Sequence, residues 1–157
     1  MGTIVVKLKN EHYEKENDMK RLLSYIAGEG KNKKKEKLLQ SGGKGVSLNP
    51  EKAARQMQAV QRAYGKECKR RTYQLIVSFP EEVREKEAVI NAAGGIADML
   101  FEDYQVFYGI HISKNNWHVH YAINAVSYMT GKKWHQNKEE FRKMKQQILG
   151  IAERYFF

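Results

Sequence analysis

The sequence predicts an α+β fold, an antiparallel sheet with helices packed mainly on one face. Short β-branched runs mingle with longer stretches of helical apolar spacing, and two of the strands follow each other with only a four-residue polar turn between them. Strands joined that closely pair antiparallel, and helices inserted between such pairs must bury their stripes against the sheet. With 157 residues, 41% of them hydrophobic, the chain matches one compact domain, residues 1–157, with its own core.

The elements follow in order. Residues 3–8 (TIVVKL) are β-branched and apolar enough for a strand, and NEHYEKEND after them is too polar to bury. A helix is expected from about Asp18, where Leu22, Leu23 and Ile26 recur at helical spacing; Gly28 is placed to end it and Tyr25 lies in its last turn. Residues 30–47 combine a lysine run with paired glycines and read as a long basic loop with at most a short helix. Asn49 and Pro50 are a good N-cap and first residue for a helix that Gly65 closes. TYQLIVSF is a strand cut off by Pro80, and residues 83–101 form a helix on the apolar face of Val89, Ile90, Ile96, Met99 and Leu100. YQVFYGIHI and WHVHYAINAVSY make a hairpin through SKNN; MTGKKWHQN turns into a last helix over 138–156.

Charge narrows the partners. Lys and Arg number 28 against 18 Asp and Glu, a formal net charge of +10, which favours a polyanion. Nucleic acid is the first candidate, with Lys33, Lys34 and Lys35 of the basic loop and Arg70 and Arg71 before the middle strand as phosphate contacts. No apolar run approaches the roughly 20 residues of a spanning helix, so no membrane partner is expected. The lone Cys68 excludes an internal disulfide framework and suits a reducing, cytosolic setting.

Three of the five histidines, His111, His118 and His120, fall within ten residues. In a strand, His118 and His120 point to one face and Asn124 follows them there, while Val119, Tyr121, Ile123 and Ala125 face the helices and leave the histidine side open. His111 ends the neighbouring strand about 5 Å across the ladder. Three converging imidazoles leave coordination positions for substrate and water, a pattern shared by hydrolases, oxygenases and structural sites alike.

The arrangement YGIHISKNNWHVHYAINAVSYMTGKKWH, preceded by YQLIVSF and LLSYIAGEGK, resembles the MobA/MobL group of plasmid relaxases in the His-hydrophobic-His nuclease superfamily. The resemblance covers nearly the whole chain in the correct order. It implies a relaxase fold and metal-dependent nicking of one DNA strand at an origin of transfer. Tyr25 would be the nucleophile, Ser78 a contact to the strand near the nick, and His111, His118 and His120 the metal ligands; Asn124 and TGKKWH would play supporting roles. The implied cofactor is Mn²⁺ or Mg²⁺, with Zn²⁺ favoured by raw affinity. The implied partners are single-stranded origin DNA, accessory relaxosome proteins and a coupling protein, bound by a monomer in the bacterial cytoplasm. The family usually carries an acid two positions after the first histidine; Ser113 stands there, which leaves the general base open. A rolling-circle initiator nuclease, with Tyr104 and Tyr108 at i, i+4 spacing, and a non-catalytic basic nucleic-acid-binding module remain the alternatives.

Overall fold

The structure is a computed structural model, which describes residues 3–29 and 36–156. A five-stranded antiparallel sheet runs in the order β1-β3-β5-β4-β2, with strands β1 (Val5–Leu8), β2 (Lys37–Lys44), β3 (Thr72–Ser78), β4 (Val106–Ile112) and β5 (Trp117–Asn124). The helices are α1 (Glu16–Ile26), α2 (Pro50–Ala63), α3 (Lys86–Leu100) and α4 (Lys138–Phe156). The α+β class and the antiparallel sheet agree with the sequence; the distribution of helices does not.

Both faces of the sheet are covered. On one, Val119, Tyr121 and Ile123 of β5 pack with Val89, Ala93 and Ile96 of α3 and Ile148 and Ile151 of α4. On the other, Met19, Leu22, Leu23 and Ile26 of α1 and Ala53, Ala54 and Met57 of α2 close over Phe107 and Ala122. The expectation of an open histidine face fails because α1 and α2 each carry an apolar stripe, and Phe107 and Ala122 offer that stripe a landing strip on the histidine side.

Local chemistry explains the helix ends. Lys15 N–H donates to the Asp18 carboxylate at 3.0 Å at the start of α1, and Gly28, at φ +79°, follows its end. Asn49 accepts from Lys52 N–H at 3.0 Å, with Pro50 in the first turn of α2.

The basic stretch 30–47 is not simply a loop. Its second half, KLLQSGGK, is the edge strand β2, paired along β4 with a bulge between Leu38 and Gln40. It lacks the apolar alternation of a strand because its glycines serve packing instead. A Cβ on Gly42 would overlap the ring of Tyr108, its partner on β4. Past Asn124, the chain leaves the sheet for a single bridge, Val126 to Lys133, around a turn in which Gly131 has φ +72°.

Candidate active site

β4 and β5 supply the floor of the site. His111 is the cross-strand partner of His118, and His120 lies opposite Gly109 on the same face. The ring centroids are 5.7 Å apart for His111 and His118, 4.5 Å for His111 and His120, and 4.9 Å for His118 and His120. Glu36, immediately before β2, completes the group: its carboxylate lies 2.8 Å from His111 Nδ1 and 3.1 Å from His118 Nε2. One ligand atom from each of the four residues falls within 4.8 Å of every other.

Gly109 brings the tyrosine in. A Cβ there would overlap the Ile26 carbonyl oxygen, so only glycine lets the last turn of α1 rest on β4. That carbonyl lies 2.8 Å from His111 Nε2. Tyr25, one residue earlier, stands over the cluster with its ring centroid 5.6 Å from His111 and 5.3 Å from His120. At 37% exposure it is open to a substrate while its edge is fixed. Burial, and then the Glu36 charge, raise its pKa, so the phenol keeps its proton until a positive charge enters the cluster.

The residues fit a divalent cation. A neutral imidazole has one donor, and with Nε2–H of His111 given to the Ile26 carbonyl, its Nδ1 and the Glu36 carboxylate are two acceptors face to face. A proton or a cation must lie between them. His120 Nε2 is buried with no hydrogen-bond partner among the described residues. Burial lowers the His118 pKa despite Glu36, and burial and then the neighbouring histidines push that of His120 down to about 2, which leaves both as neutral imidazoles, the form that ligates. Three imidazoles and one carboxylate are a donor set that divalent transition ions accept.

A family model for relaxases, described as MobA/VirD2-like, nuclease domain, matches residues 25–156. The chain belongs to this family. Protein rlx of Staphylococcus aureus is 40% identical over 79 residues, 49% of this chain but only 24% of that protein, so the match spans about a quarter of the curated relative. The solved structure titled "Molecular Basis of Vancomycin Resistance Transfer in Staphylococcus aureus" has a TM-score of 0.71 at 12% identity, covering 98% of this chain and 92% of that one, which is a likeness of fold.

Within the relaxase domain, the described residues among those expected at the site separate into three groups. Tyr25, His111, His118 and His120 converge as described. Ser78 ends β3 opposite His118, on the histidine face, and lines an open groove of about 770 Å³ together with Thr3, Val5, Pro80, Asn115 and Asn116. The others are used elsewhere. Ser113 lies past the end of β4, and its hydroxyl donates to the Asn116 carbonyl at 2.6 Å, closing the hairpin turn. Asn124 is buried between β5 and α2, where it accepts from Gln61 and donates to the Met57 carbonyl and Gln105.

The two arginines are also placed differently from a phosphate-binding patch. Arg71 is 5% exposed, bonded to Gln61 at 2.9 Å and paired with Glu67 at 3.6 Å. Arg70 is half-buried, donates to the Lys9 carbonyl at 2.8 Å and lies 3.9 Å over the Tyr73 ring. Arg71 thus joins the start of β3 to α2 and Arg70 joins it to the segment after β1, although Arg70 Nε and Arg71 Nη2 are buried without a hydrogen-bond partner among the described residues. Lys33, Lys34 and Lys35 lie outside the described residues. Tyr104 and Tyr108 belong to the opposite side of the sheet, with the Tyr108 ring tilted against that of Tyr121 at 5.4 Å, away from the histidines.

Sequence reasoning missed Glu36. Its only signal is that one carboxylate interrupts the lysines of KNKKKEK, while the acid expected at position 113 is absent.

Proposed function

We propose that this relaxase domain nicks one DNA strand site-specifically at an origin of transfer, by transesterification onto Tyr25. The observation that carries the reading is an accessible phenol held edge-on over three histidines and a carboxylate whose ligand atoms converge. Tyr25 Oη forms a bond to phosphorus as the P–O3′ bond breaks. The phenol loses its proton, the leaving 3′ oxygen gains one, and the 5′ end remains joined to the protein as a phosphotyrosine. One phosphodiester replaces another, so the step is reversible and suits strand transfer.

His111, His118, His120 and Glu36 would hold the cation. A bound dication would neutralise charge on the phosphate and favour the ionised phenol. The Glu36 oxygen makes the set harder than imidazole alone, which favours Mn²⁺ or Mg²⁺ as the working ion, with Zn²⁺ the strongest competitor. Ser78, at the strand end beside His118, is the contact for the DNA backbone, and the Ile26 carbonyl and Gly109 orient the nucleophile. Single-stranded origin DNA is the substrate; accessory proteins of the transfer complex and a coupling protein are the further partners of a monomer.

The burial of Arg71, and the Lys9 carbonyl and Tyr73 ring that engage Arg70, disfavour both arginines as DNA contacts, and the buried network of Asn124 disfavours a supporting role for it at the site. The position of Tyr104 and Tyr108 disfavours the rolling-circle alternative, because that pair lies on the side of the sheet away from the cluster.

The test is to incubate the protein and Mn²⁺ with a single-stranded DNA library, isolate the DNA that stays attached after denaturation, and sequence its bound end. A discrete site joined through its 5′ phosphate is expected. Attachment at unrelated ends, or none with any of the three ions, would sink the reading.

A further inference from the structure

Beyond the four converging residues, one buried side chain touches the cluster without a role in it. Gln74 of β3 is on the histidine face, opposite Ala122, and its amide lies 3.0 Å from His120 Nδ1. The other end of the same amide accepts a 2.6 Å hydrogen bond from the hydroxyl of Tyr13. Tyr13 comes from the segment before α1, 61 residues away in sequence, and holds a positive φ of 54°. A bulky residue in the left-handed region is uncommon and persists only where its surroundings over-determine it. Here the contact to Gln74 is part of what does so.

We propose that Tyr13 and Gln74 form a reversible relay that sets which nitrogen of His120 carries the proton, and so governs whether His120 can ligate the cation. The inference rests on the metal reading above and names positioning residues for it. In the arrangement described, Tyr13 O–H donates to Gln74 Oε1 and the Gln74 amide donates to His120 Nδ1. The proton of a neutral His120 is then on Nε2, where its buried N–H finds no acceptor among the described residues. Turning the amide by 180° inverts every bond at once. Oε1 then accepts from Nδ1–H, and the amide N–H donates to Tyr13 Oη, a hydroxyl that accepts as readily as it donates. Nε2 is left with a lone pair aimed at the cluster, which a cation would satisfy.

The residue types matter. A glutamine presents a donor and an acceptor on one rotatable group, and a hydroxyl can match either end; a carboxylate could only accept. Carboxylates are the common partners that fix a ligating histidine. A neutral relay does the same without a second negative charge beside Glu36, so more of the cation's charge is left for the phosphate. His111 is handled differently, because a backbone carbonyl that cannot turn fixes its Nε2–H.

Calorimetric titration of Mn²⁺ into the intact protein, with the wild type beside Gln74→Leu, Gln74→Glu and Tyr13→Phe, tests this. Gln74→Leu should bind about 10- to 100-fold more weakly. Gln74→Glu, which can only accept from Nδ1–H, should bind at least as tightly as wild type, and Tyr13→Phe should lose less than Gln74→Leu because the amide can still turn. Imidazole nitrogen shifts of the cation-free protein supply the second readout: Gln74→Glu should place the His120 proton on Nδ1. Wild-type affinity in Gln74→Leu, equal losses in Gln74→Leu and Gln74→Glu, or a Gln74→Glu protein with its proton on Nε2 would each overturn the relay. The last measurement stands even if Gln74→Leu fails to fold. A wild-type protein that takes up no cation would instead remove the metal reading, leaving the shifts to judge the relay alone.

Discussion

The two ends of one face of β5 carry buried polar residues with opposite fates. At the C-terminal end, the Asn124 amide is spent: Gln61, Gln105, the Met57 carbonyl and the Val126 N–H take up its donor and acceptor positions. Towards the N-terminal end, His118 meets the Glu36 carboxylate and the Asn116 backbone, and His120 keeps a buried nitrogen with no hydrogen-bond partner among the described residues. Burying a polar group is costly unless it is hydrogen-bonded, so a satisfied network joins elements whereas an incomplete one awaits a ligand. His118, His120 and Asn124 share one face of a single strand, and only their surroundings distinguish them.

The difference between the two ends is sharpest at Tyr25, the proposed nucleophile. Tyr25→Phe should reduce the covalent protein–DNA adduct at least about 1000-fold while single-strand binding stays within a few-fold, because only the attacking oxygen is removed. Adduct at normal yield, resolved on a denaturing gel, would move the chemistry to another residue. Next in size, Glu36→Gln should weaken Mn²⁺ binding on the order of 100-fold, since in the proposed site the carboxylate would supply a ligand oxygen, and its charge faces two imidazoles. Calorimetry checks this, and unchanged affinity would return the fourth position to water.

Asn124→Ala should do the reverse. Leaving one Gln61 N–H, the Gln105 Oε1 and the Val126 N–H without their partner should cost about 2–3 kcal/mol in urea unfolding. Mn²⁺ affinity of the folded variant should hold within about twofold, because Asn124 is not part of the incomplete network. A large loss of affinity would break the distinction between the two ends. Smaller still, replacing Lys33, Lys34 and Lys35 by Ala should flatten the salt dependence of single-strand binding by roughly 0.7 in logarithmic slope for each phosphate that is no longer neutralised. A slope that does not move would exclude these lysines from the DNA path. Ser113→Asp should be nearly silent, changing Mn²⁺ affinity by less than about twofold, since Glu36 already supplies the carboxylate and residue 113 is tied into the turn. Tightening by an order of magnitude would show that the acid position of other relaxases is still usable here.

Much of the fold was legible because alternation and capping are local. The period-2 pattern of residues 117–124 places His118, His120 and Asn124 on one face without any structure, and the Asn49–Pro50 pair marks the start of α2. β2 was not legible: its pairing comes from β4, and Gly42 answers to Tyr108, a neighbour remote in sequence. Arg70 and Arg71 misled for the same reason. A basic pair reads as a phosphate contact until the carbonyl, amide and carboxylate that absorb it are known.

The sequence alone determined that three histidines share one side of a hairpin and that a tyrosine ends the first helix, since spacing along a strand or helix is fixed by backbone geometry. Which side of the sheet that helix covers, how Gly109 lets it rest beside the histidines, and which of 18 carboxylates joins them were decided by tertiary structure. Those are distances between residues dozens of positions apart, and they exist only once the apolar stripes of α1 and α2 are buried against the histidine face of the sheet.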